Sequence, residues 1–287
     1  MKNPKVSIII VTYNAKSVIK NAIESVSKQT YANTELIIID GNSSDGTIEV
    51  LKNSNEIAFW ISESDAGIYD AMNKGVKYAT GEWIVFLGAD DIFYDSKSIS
   101  SIFDDEVNYD NFDFIYGNVW LKKSKRIMGG NRDLCSLIES NIPHQSIFFN
   151  RRIFNIVGEF NQRYSILGDY DFNIRIFSNP TIKSKYVDKI LGVFDQSGVS
   201  SKMIDGNFFE DYLGFSQKLA RDYNKPILCK KFLFFTGLNY LLSYKLKIGF
   251  KHLIKSFSSK QKNFFYLILL SYILIRVILF GKSTVYK

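Results

Sequence analysis

Two adjacent aspartates, Asp90 and Asp91, come shortly after the apolar run at residues 83–87. Only a Gly-Ala pair separates them from it. Carboxylates in a tight turn can coordinate Mg²⁺ or Mn²⁺, and such a cation stabilises a diphosphate as a leaving group. An acid pair can equally be a solvated turn that caps a helix, and a second pair, Asp104-Asp105, has no assigned role. The position of Asp90 and Asp91 after a predicted strand favours the metal-binding interpretation.

Polar residues also follow other apolar runs in the first half of the chain. The runs at residues 6–11, 36–39, 59–62 and 83–87 have the composition of buried parallel strands. The polar residues that follow them are Thr12-Tyr13-Asn14, Asp40, Asp65 and the acid pair. Ligands of an open α/β sheet bind beyond the carboxyl ends of its strands. The sequence therefore predicts one polar site at that edge.

The intervening segments complete a predicted α/β fold. Apolar residues recur with helical spacing over residues 18–26 and 68–79, and Asn14 is predicted to cap the first of these helices. A strand is predicted at 112–121 and a helix at 168–177. The motif G-x-G-x-x-G does not follow the first strand, and the P-loop motif is missing. Rossmann cofactor binding and P-loop ATPase activity are therefore not expected.

The composition is that of a folded protein with two differently charged parts. The 287 residues are 46% hydrophobic and 15% aromatic, which argues against a disordered chain. Residues 1–217 carry 22 Lys+Arg and 28 Asp+Glu, a net charge of −6, whereas residues 218–287 carry 14 Lys+Arg and one acid, a net charge of +13. Cys135 and Cys229 are too few for a disulfide framework or a cysteine-rich zinc site, and no signal peptide is expected.

Four segments resemble, in family order, sequence blocks of the family 2 glycosyltransferases, which have the GT-A fold. They are VSIIIVTYN at 6–14, ELIIIDGNSSDGT at 35–47, ESDAGIYDAMNKG at 63–75 and GEWIVFLGADD at 81–91. The resemblance covers roughly residues 5–200, and four blocks in order are far more specific than one. It implies a mixed, mostly parallel central sheet flanked by helices, and sugar transfer from a nucleotide sugar.

The resemblance assigns nucleotide-sugar binding to residues of these blocks. Asp40 is implied to contact the base or the ribose, Asp65 the base and Asp90 the ribose. Asn73 and Lys74 are implied to lie on a helix beneath the nucleotide sugar. The residues implied to line the nucleotide pocket are Thr12, Tyr13 and Asn14.

The metal ligand that the resemblance implies is Asp91, in a D-x-D-type motif, with Mn²⁺ or Mg²⁺ as the cofactor. Many relatives have an aspartate where this chain has Gly88. The outer acid of the motif is therefore missing, and Asp90 and Asp91 are the two acids available to a metal.

Asp169 aligns with the second residue of the family's acidic E-D motif, in which Gly168 replaces the usual glutamate. The resemblance implies that Asp169 is the general base, which takes the acceptor hydroxyl proton as the oxygen attacks the anomeric carbon. No covalent intermediate is then needed, so the configuration of the sugar inverts. The alternative is that Asp169 is a helix N-cap. Asp171 is expected to be structural.

His144 lies in the segment IPHQ and is one of two histidines. Similar P-H-Q segments occur in relatives that assemble polysaccharides, near the acceptor side. The alternative is a packed or hydrogen-bonded histidine outside any site. Residues 198–201 resemble the family's late glycine-serine loop, so Ser200 is expected near the diphosphate.

The C-terminal residues 218–287 are basic and apolar. Residues 264–280 are 17 residues interrupted only by Ser271 and Arg276, and as a helix they would be about 26 Å long, short of the roughly 30 Å hydrocarbon core. Residues 230–262 mix lysine with aromatic and aliphatic residues, which is typical of helices on anionic membrane surfaces. The alternative is a helical subdomain that packs on the core or forms a dimer. No recognition motif supports a nucleic-acid partner.

The expected protein is an inverting, metal-dependent glycosyltransferase of surface polysaccharide or O-antigen synthesis. It would transfer one sugar, from a UDP-sugar, to a saccharide or lipid-linked saccharide. The expected domains are 1–217, with a nucleotide-sugar half at 1–121 and an acceptor half at 122–217, and a membrane-associating or dimerising tail at 218–287. The expected location is the cytoplasm, at the inner face of the cell membrane.

Two alternatives come from other classes of protein. A nucleotidyltransferase shares a similar α/β nucleotide domain, but would show a glycine-rich, basic loop where this chain has Thr12-Tyr13-Asn14-Ala15. A non-catalytic nucleotide-sugar-binding scaffold would keep the pocket without transferring a sugar.

Overall fold

A computed structural model describes residues 3–104, 109–195, 205–208 and 210–212. The chain divides into two compact units, residues 1–201 and 202–287. Ser200 and the predicted tail at 218–287, with its apolar run, lie outside the described residues. Among the residues that are described, no helix has the length and apolar character needed to cross a membrane.

The described residues of the first unit form a mixed β-sheet flanked by helices. The strands are β1 (Val6–Thr12), β2 (Thr34–Asp40), β3 (Phe59–Ser62), β4 (Trp83–Gly88), β5 (Ile92–Phe93), β6 (Phe114–Leu121), β7 (Arg126–Met128), β8 (Ile147–Asn150) and β9 (Ser184–Phe194). The helices are α1 (Ile19–Ser27), α2 (Thr47–Lys52), α3 (Ile68–Tyr78), α4 (Ser100–Phe103), α5 (Leu134–Glu139), α6 (Ile153–Val157) and α7 (Gly168–Ser178). The strand order is β3-β2-β1-β4-β8-β6-β9-β5, with β7 paired to β6, which confirms the expected mixed α/β fold.

The first apolar run forms the centre of the parallel part of the sheet because both of its faces are covered. Ile8 and Ile10 share a core with residues of α1, including Ala22. On the other face α3 packs so closely that a Cβ atom at Gly75 would lie 2.5 Å from the Ile9 side chain. Each fully buried isoleucine contributes roughly 1.5–3 kcal/mol relative to exposure. Burial on both faces explains why this run is continuously apolar.

The strand directions bring six carboxyl ends to one edge of the sheet, called here the carboxyl edge. β1 is parallel to β2 and β4, and β8 is antiparallel to both β4 and β6. β6 is in turn parallel to β9. β3 is parallel to β2. The strands that end at the carboxyl edge are therefore β1, β2, β3, β4, β6 and β9. There Thr12 pairs with Asp40, and Val11 pairs with Gly88.

The sequence predicted that Asn14 caps α1, but it does not. The N-cap residue is Val18, without a side-chain cap. Asn14 has a positive φ of 48°, which asparagine tolerates better than most residues, and its Oδ1 atom accepts the Ser44 N–H at 2.9 Å. A hydrogen bond to the loop after β2 replaces the predicted cap, so Asn14 joins two loops of the carboxyl edge.

Candidate active site

Asp91 is held in the turn after β4 by groups from two parts of the chain. The Gly88 N–H donates to Oδ2 at 2.9 Å, and the Gln145 amide donates to Oδ1 at 2.9 Å. The Nε2 atom of His144 lies 3.3 Å from Oδ2, and the Asp91 side chain is only 4% exposed. Both carboxylate oxygens therefore face protein groups.

Gly88 leaves the space that the two acids occupy. A Cβ atom at this position would lie 2.9 Å from Oδ2 of Asp91 and 3.1 Å from Oδ1 of Asp90. An aspartate at this position would therefore have to displace the neighbouring carboxylates. The glycine that replaces the outer acid is therefore also the residue that leaves room for Asp91 to point inward.

Asp90 is only partly buried and borders a groove of about 440 Å³ between α1, β5 and the end of β9. Asp195 and Lys122 border the same groove. Burial raises the pKa of Asp90, the charges of Asp91 and Asp195 raise it further, and His144 opposes the shift. Of the two adjacent aspartates, Asp90 is the one that reaches open space.

His144 lies between Asp91 and Asp169. Its Nδ1 atom is 3.9 Å from Oδ2 of Asp169, and its side chain is 31% exposed. Burial by itself would lower the pKa of His144. The hydrogen bond to Asp91 and the charges of Asp91, Asp169 and Asp90 outweigh that effect and raise the pKa. The imidazole thus joins the turn after β4 to the beginning of α7.

Asp169 is held by three hydrogen bonds in the first turn of α7. The Tyr69 hydroxyl donates to Oδ1 at 3.1 Å, the Asn141 amide donates to Oδ2 at 2.9 Å, and the Tyr170 N–H donates to Oδ1 at 2.8 Å. Burial raises the pKa of Asp169, and the charge of His144 together with these hydrogen bonds opposes the shift. The result is an oriented carboxylate that takes up a proton more readily than a solvated one.

Gly168 is the first residue of α7, and its N-cap residue is Leu167. The interpretation of Asp169 as the N-cap is therefore wrong. A Cβ atom at Gly168 would lie 2.7 Å from Cδ2 and Cε2 of the Tyr69 ring. The single hydroxyl proton of Tyr69 is shared between Asp169 and the Ile166 carbonyl. A glutamate at position 168 would push the Tyr69 ring away from Asp169, so the glycine is the residue that this arrangement requires.

Asn173 orients Asn141, the asparagine that donates to Asp169. The Asn173 amide donates to Oδ1 of Asn141 at 2.8 Å, and the Ile142 N–H donates to the same atom at 2.9 Å. With Oδ1 occupied as an acceptor, the amide nitrogen of Asn141 is directed at Asp169. Asp171 instead forms an ion pair with Arg175 at 2.8 Å, in keeping with the structural role expected for it.

Tyr13 and Asp65 lie close together at the carboxyl edge, with Gly41 beside both. A Cβ atom at Gly41 would lie 2.6 Å from Oδ2 of Asp65 and 3.4 Å from the Tyr13 ring. Tyr13 is 67% exposed. Oδ1 of Asp65 accepts the Gly67 N–H at 2.9 Å. An exposed aromatic ring beside a carboxylate can stack on a planar base and accept a hydrogen bond from it.

Thr12 and Asp40 lie deeper, beneath this surface. The Thr12 hydroxyl is buried and has no hydrogen-bond partner within the described residues. Asp40 is fully buried, and its carboxylate accepts the hydroxyls of Ser43 at 2.5 Å and Ser62 at 2.6 Å. Asp40 therefore holds the ends of β2 and β3 together in this structure.

Asn73 and Lys74 also contact protein groups. The Asn73 amide donates to the Phe160 carbonyl and accepts the Phe160 N–H, both at 2.9 Å. The Lys74 ammonium lies 2.9 Å from the carboxylate of Glu63 and 3.3 Å from that of Asp70. Asn73 fixes α3 to the segment before α7, and Lys74 closes the loop that contains Asp65.

Sequence reasoning missed the residues that hold Asp91 and Asp169 in place, which are Tyr69, Asn141, Gln145 and Asn173. Gln145 could have been noticed beside His144, and Tyr69 lies within a matched block. Asn141 and Asn173 gave no signal, because their contact joins positions 32 residues apart.

A family model described as "Glycosyl transferase family 2" matches residues 7–174. The chain is 36% identical over 216 residues, 73% of this chain and 84% of the relative, to a protein of Mycobacterium bovis (strain BCG / Pasteur 1173P2) named "PGL/p-HBAD biosynthesis glycosyltransferase". It is 40% identical over 126 residues, 43% of this chain and 49% of the relative, to the Escherichia coli protein named "UDP-Glc:alpha-D-GlcNAc-diphosphoundecaprenol beta-1,3-glucosyltransferase WfgD".

Solved structures share the fold. Staphylococcus aureus TarS 1-349 in complex with UDP-GlcNAc matches with a TM-score of 0.67 at 17% identity, over 88% of this chain and 79% of that chain. The mannosyltransferase PcManGT from Pyrobaculum calidifontis, in complex with GDP-Man and Mn²⁺, matches with a TM-score of 0.60 at 15% identity, over 97% of this chain and 81% of that chain.

Proposed function

This chain belongs to glycosyl transferase family 2 and is a glycosyltransferase, and we propose that it transfers one sugar, with inversion, from a UDP-sugar to a saccharide or lipid-linked saccharide. The name of one relative includes UDP-Glc and a diphosphoundecaprenol-linked sugar, and a structure with the same fold holds UDP-GlcNAc. These names support the proposed donor and acceptor classes. The proposed process is the synthesis of surface polysaccharide, such as O-antigen, or of a glycolipid.

The observation that carries the proposal is the environment of Asp169. Tyr69 and Asn141 orient its carboxylate, and His144 connects it to the turn of Asp90 and Asp91. A general base must be fixed within reach of the proton that it removes, with a pKa closer to the working pH than that of a free carboxyl. Burial supplies the second condition and the hydrogen bonds supply the first.

In the proposed reaction, the acceptor hydroxyl oxygen attacks the anomeric carbon of the donor from the side opposite the diphosphate. The oxygen–carbon bond forms as the bond from the anomeric carbon to the diphosphate oxygen breaks. The hydroxyl proton goes to Asp169, and the nucleoside diphosphate leaves with the bonding electrons. A single displacement inverts the configuration at the anomeric carbon.

Mn²⁺ or Mg²⁺ is the proposed cofactor. Among the described residues no group of three or more His, Cys, Asp or Glu side chains could hold a metal ion, so the turn after β4 would supply only one or two carboxylate oxygens. We propose that Asp90 offers the first oxygen, because it borders the open groove. Asp91, the ligand implied by the resemblance, would reach a metal only by giving up its contact with His144. Mg²⁺ is commonly bound by one or two carboxylates together with substrate phosphates. When bound, the cation neutralises the charge that develops on the diphosphate.

The nucleotide is proposed to bind over Tyr13 and Asp65, beside Thr12 and Asn14. The exposed Tyr13 ring would stack on the base, and the Asp65 carboxylate would accept a base N–H. Three further predicted residues, Asp40, Asn73 and Lys74, are proposed to act indirectly, through the loops and the helix that they fix.

The remaining proposals concern residues outside the described part of the chain. Ser200 is proposed to lie near the diphosphate. Residues 218–287, with their net charge of +13, are proposed to bind an anionic membrane surface, so that the protein works at the inner face of the cell membrane. Loss of anionic vesicle binding on neutralising lysines of residues 230–262 would support this role, and unchanged binding would contradict it.

The proposed function is tested with full-length protein, a panel of UDP-sugars, and diphosphate-linked lipid saccharides as acceptors. The wild type should form a product whose new bond has the anomeric configuration opposite to that of the donor, as read by NMR. Asp169→Asn should reduce turnover about 10²- to 10⁴-fold. Asp171→Asn in the same helix is the matched control and should keep most of the turnover. Retained configuration, or near wild-type turnover in Asp169→Asn, would overturn the mechanism.

A further inference from the structure

The hairpin between β6 and β7 is a strongly positive region of an otherwise acidic unit. Residues 121–132 contain five Lys or Arg and no acid, whereas residues 1–201 as a whole carry 21 Lys+Arg and 25 Asp+Glu. The cations at its tip are Lys122, Lys123, Lys125 and Arg126. Residues 122–128 are called here the basic hairpin.

The cations of the basic hairpin are exposed, and most have no acidic partner within the part of the chain that the structure describes. Lys122 forms an ion pair with Asp195 at 2.8 Å while its side chain is still 68% exposed. Lys123, Lys125 and Arg126 are exposed, and none of the three has an ion pair with another residue that the structure describes. Their charges are therefore available to an external anion.

Apolar groups accompany these charges. Ile127 is 54% exposed, and its cross-strand partner in β6 is Trp120, which is only partly buried. An aromatic and an aliphatic side chain amid lysines and arginine match the lipid headgroup layer, where apolar groups insert and cations meet phosphates. Phosphates of a nucleic acid would use the cations but gain little from Ile127, so the composition favours lipid.

The basic hairpin lies at the carboxyl edge of the sheet. β6 ends there together with β1, β2 and β4, and the Lys122 N–H donates to the Phe194 carbonyl at the end of β9 at 3.0 Å. Lys122 also borders the groove that contains Asp90. A surface that meets the basic hairpin therefore meets the rim of the candidate active site.

We propose that the basic hairpin docks on anionic phospholipid, so that the carboxyl edge of the sheet faces the bilayer. This contact belongs to the first unit and is separate from any contact made by residues 218–287. Each lysine close to an anionic membrane surface strengthens binding about fivefold. Reversal of two charges should therefore weaken binding by roughly tenfold or more.

The test compares two charge-reversal pairs in the full-length chain. Lys123→Glu/Lys125→Glu alters the basic hairpin, and Lys52→Glu/Lys97→Glu alters two exposed lysines on α2 and before α4. Both pairs change the net charge by the same amount and leave the C-terminal residues intact. Affinity is measured by cosedimentation with phosphatidylcholine vesicles that contain about a third phosphatidylglycerol.

We expect the apparent Kd to rise roughly tenfold or more for the hairpin pair and less than about threefold for the control pair. Ile127→Ser should weaken binding severalfold without a change in charge. Equal losses for the two pairs, or unchanged affinity of the hairpin pair, would overturn the proposal. A hairpin pair that loses affinity for single-stranded RNA but keeps its vesicle affinity would also overturn it, by identifying a nucleic-acid surface.

Discussion

The Nε2 atom of His144 lies 3.3 Å from the Oδ2 atom of Asp91. The other ring nitrogen faces Asp169, so one imidazole contacts both the turn after β4 and the first turn of α7. In the proposed enzyme, the turn after β4 lies on the donor side of the site, and the first turn of α7 carries the general base. A shift of either carboxylate must move the ring, and the ring in turn limits the position of the other carboxylate.

His144→Ala should lower kcat by about 10- to 100-fold, because small displacements of a positioned group have effects of this size. The KM for the donor should change less than about threefold, since the described contacts of His144 are with Asp91 and Asp169 and not with Tyr13 or Asp65, which are proposed to bind the nucleotide. Steady-state kinetics measures both values. His252→Ala, at the other histidine of the chain, is the control. A large rise in KM at constant kcat would instead assign His144 to donor binding.

Asn141→Asp should shift the acid limb of the pH–rate profile upward. A second carboxylate beside Asp169 disfavours its ionised form and raises its pKa further, while the neighbouring Tyr69 and His144 are unchanged. Activity lost near neutral pH should return at higher pH. Asn141→Ala should lower kcat without this recovery. Superimposable pH profiles for wild type and Asn141→Asp would contradict the contact between Asn141 and the base.

Gly168→Ala should reduce kcat at least tenfold, because the new Cβ atom would lie 2.7 Å from the Tyr69 ring and would displace its hydroxyl from Asp169. Nucleotide affinity, measured by calorimetry, should stay within about twofold and serves as the internal control. Gly168→Glu should be at least as impaired. An activity gain in Gly168→Glu, which places an acid directly before Asp169, would show that the packing against Tyr69 does not limit activity.

Glu35→Gln should destabilise the fold in a pH-dependent manner. Burial alone would raise the pKa of Glu35, but Lys5, Ser7 and Thr80 lower it from 4.5 to about 2. Ionised Glu35 thus stabilises the native state above pH 4.5, and this contribution is lost as the pH falls towards 2. At neutral pH the variant should lose about 2 to 3 kcal/mol of unfolding free energy.

Urea unfolding at several pH values measures this difference. Glu24→Gln is the control, since its exposed pair with Lys28 should be worth less than about 1 kcal/mol. A Glu35→Gln effect that does not shrink below pH 4 would contradict the assignment.

The sheet was predictable because its central strands are buried on both faces, which requires continuous apolar runs such as that of β2. Acidic residues follow several of the predicted strands, and this predicted a polar site at the carboxyl edge. Asp90, Asp91 and Asp65 do lie there. The depth of individual side chains was not predictable. Asp40 turns inward because Ser43 and Ser62 donate to it, and the spacing of apolar residues carries no information about such partners.

The support of Asp169 was equally hidden from the sequence. Tyr69 is 100 positions away in the chain, and its ring can reach Asp169 only because residue 168 has no side chain. Gly168 looked like the loss of a family acid, and the structure identifies it as the space for a tyrosine. Similarly, the lack of a side chain at Gly88 leaves space for the carboxylates of Asp90 and Asp91.

The most direct test of the central claim is thermal unfolding with UDP, GDP, CDP and dTDP, each with and without Mn²⁺. Saturating ligand at 100 times its Kd adds about 2.7 kcal/mol to native stability, a Tm rise of several degrees for a chain of this size. We expect a rise with UDP that requires Mn²⁺, disappears in Asp90→Asn and persists in Asp91→Asn, whose Tm without ligand is lower. A rise that survives Asp90→Asn would contradict the proposed metal ligand, and no rise with any nucleotide would contradict the donor site itself.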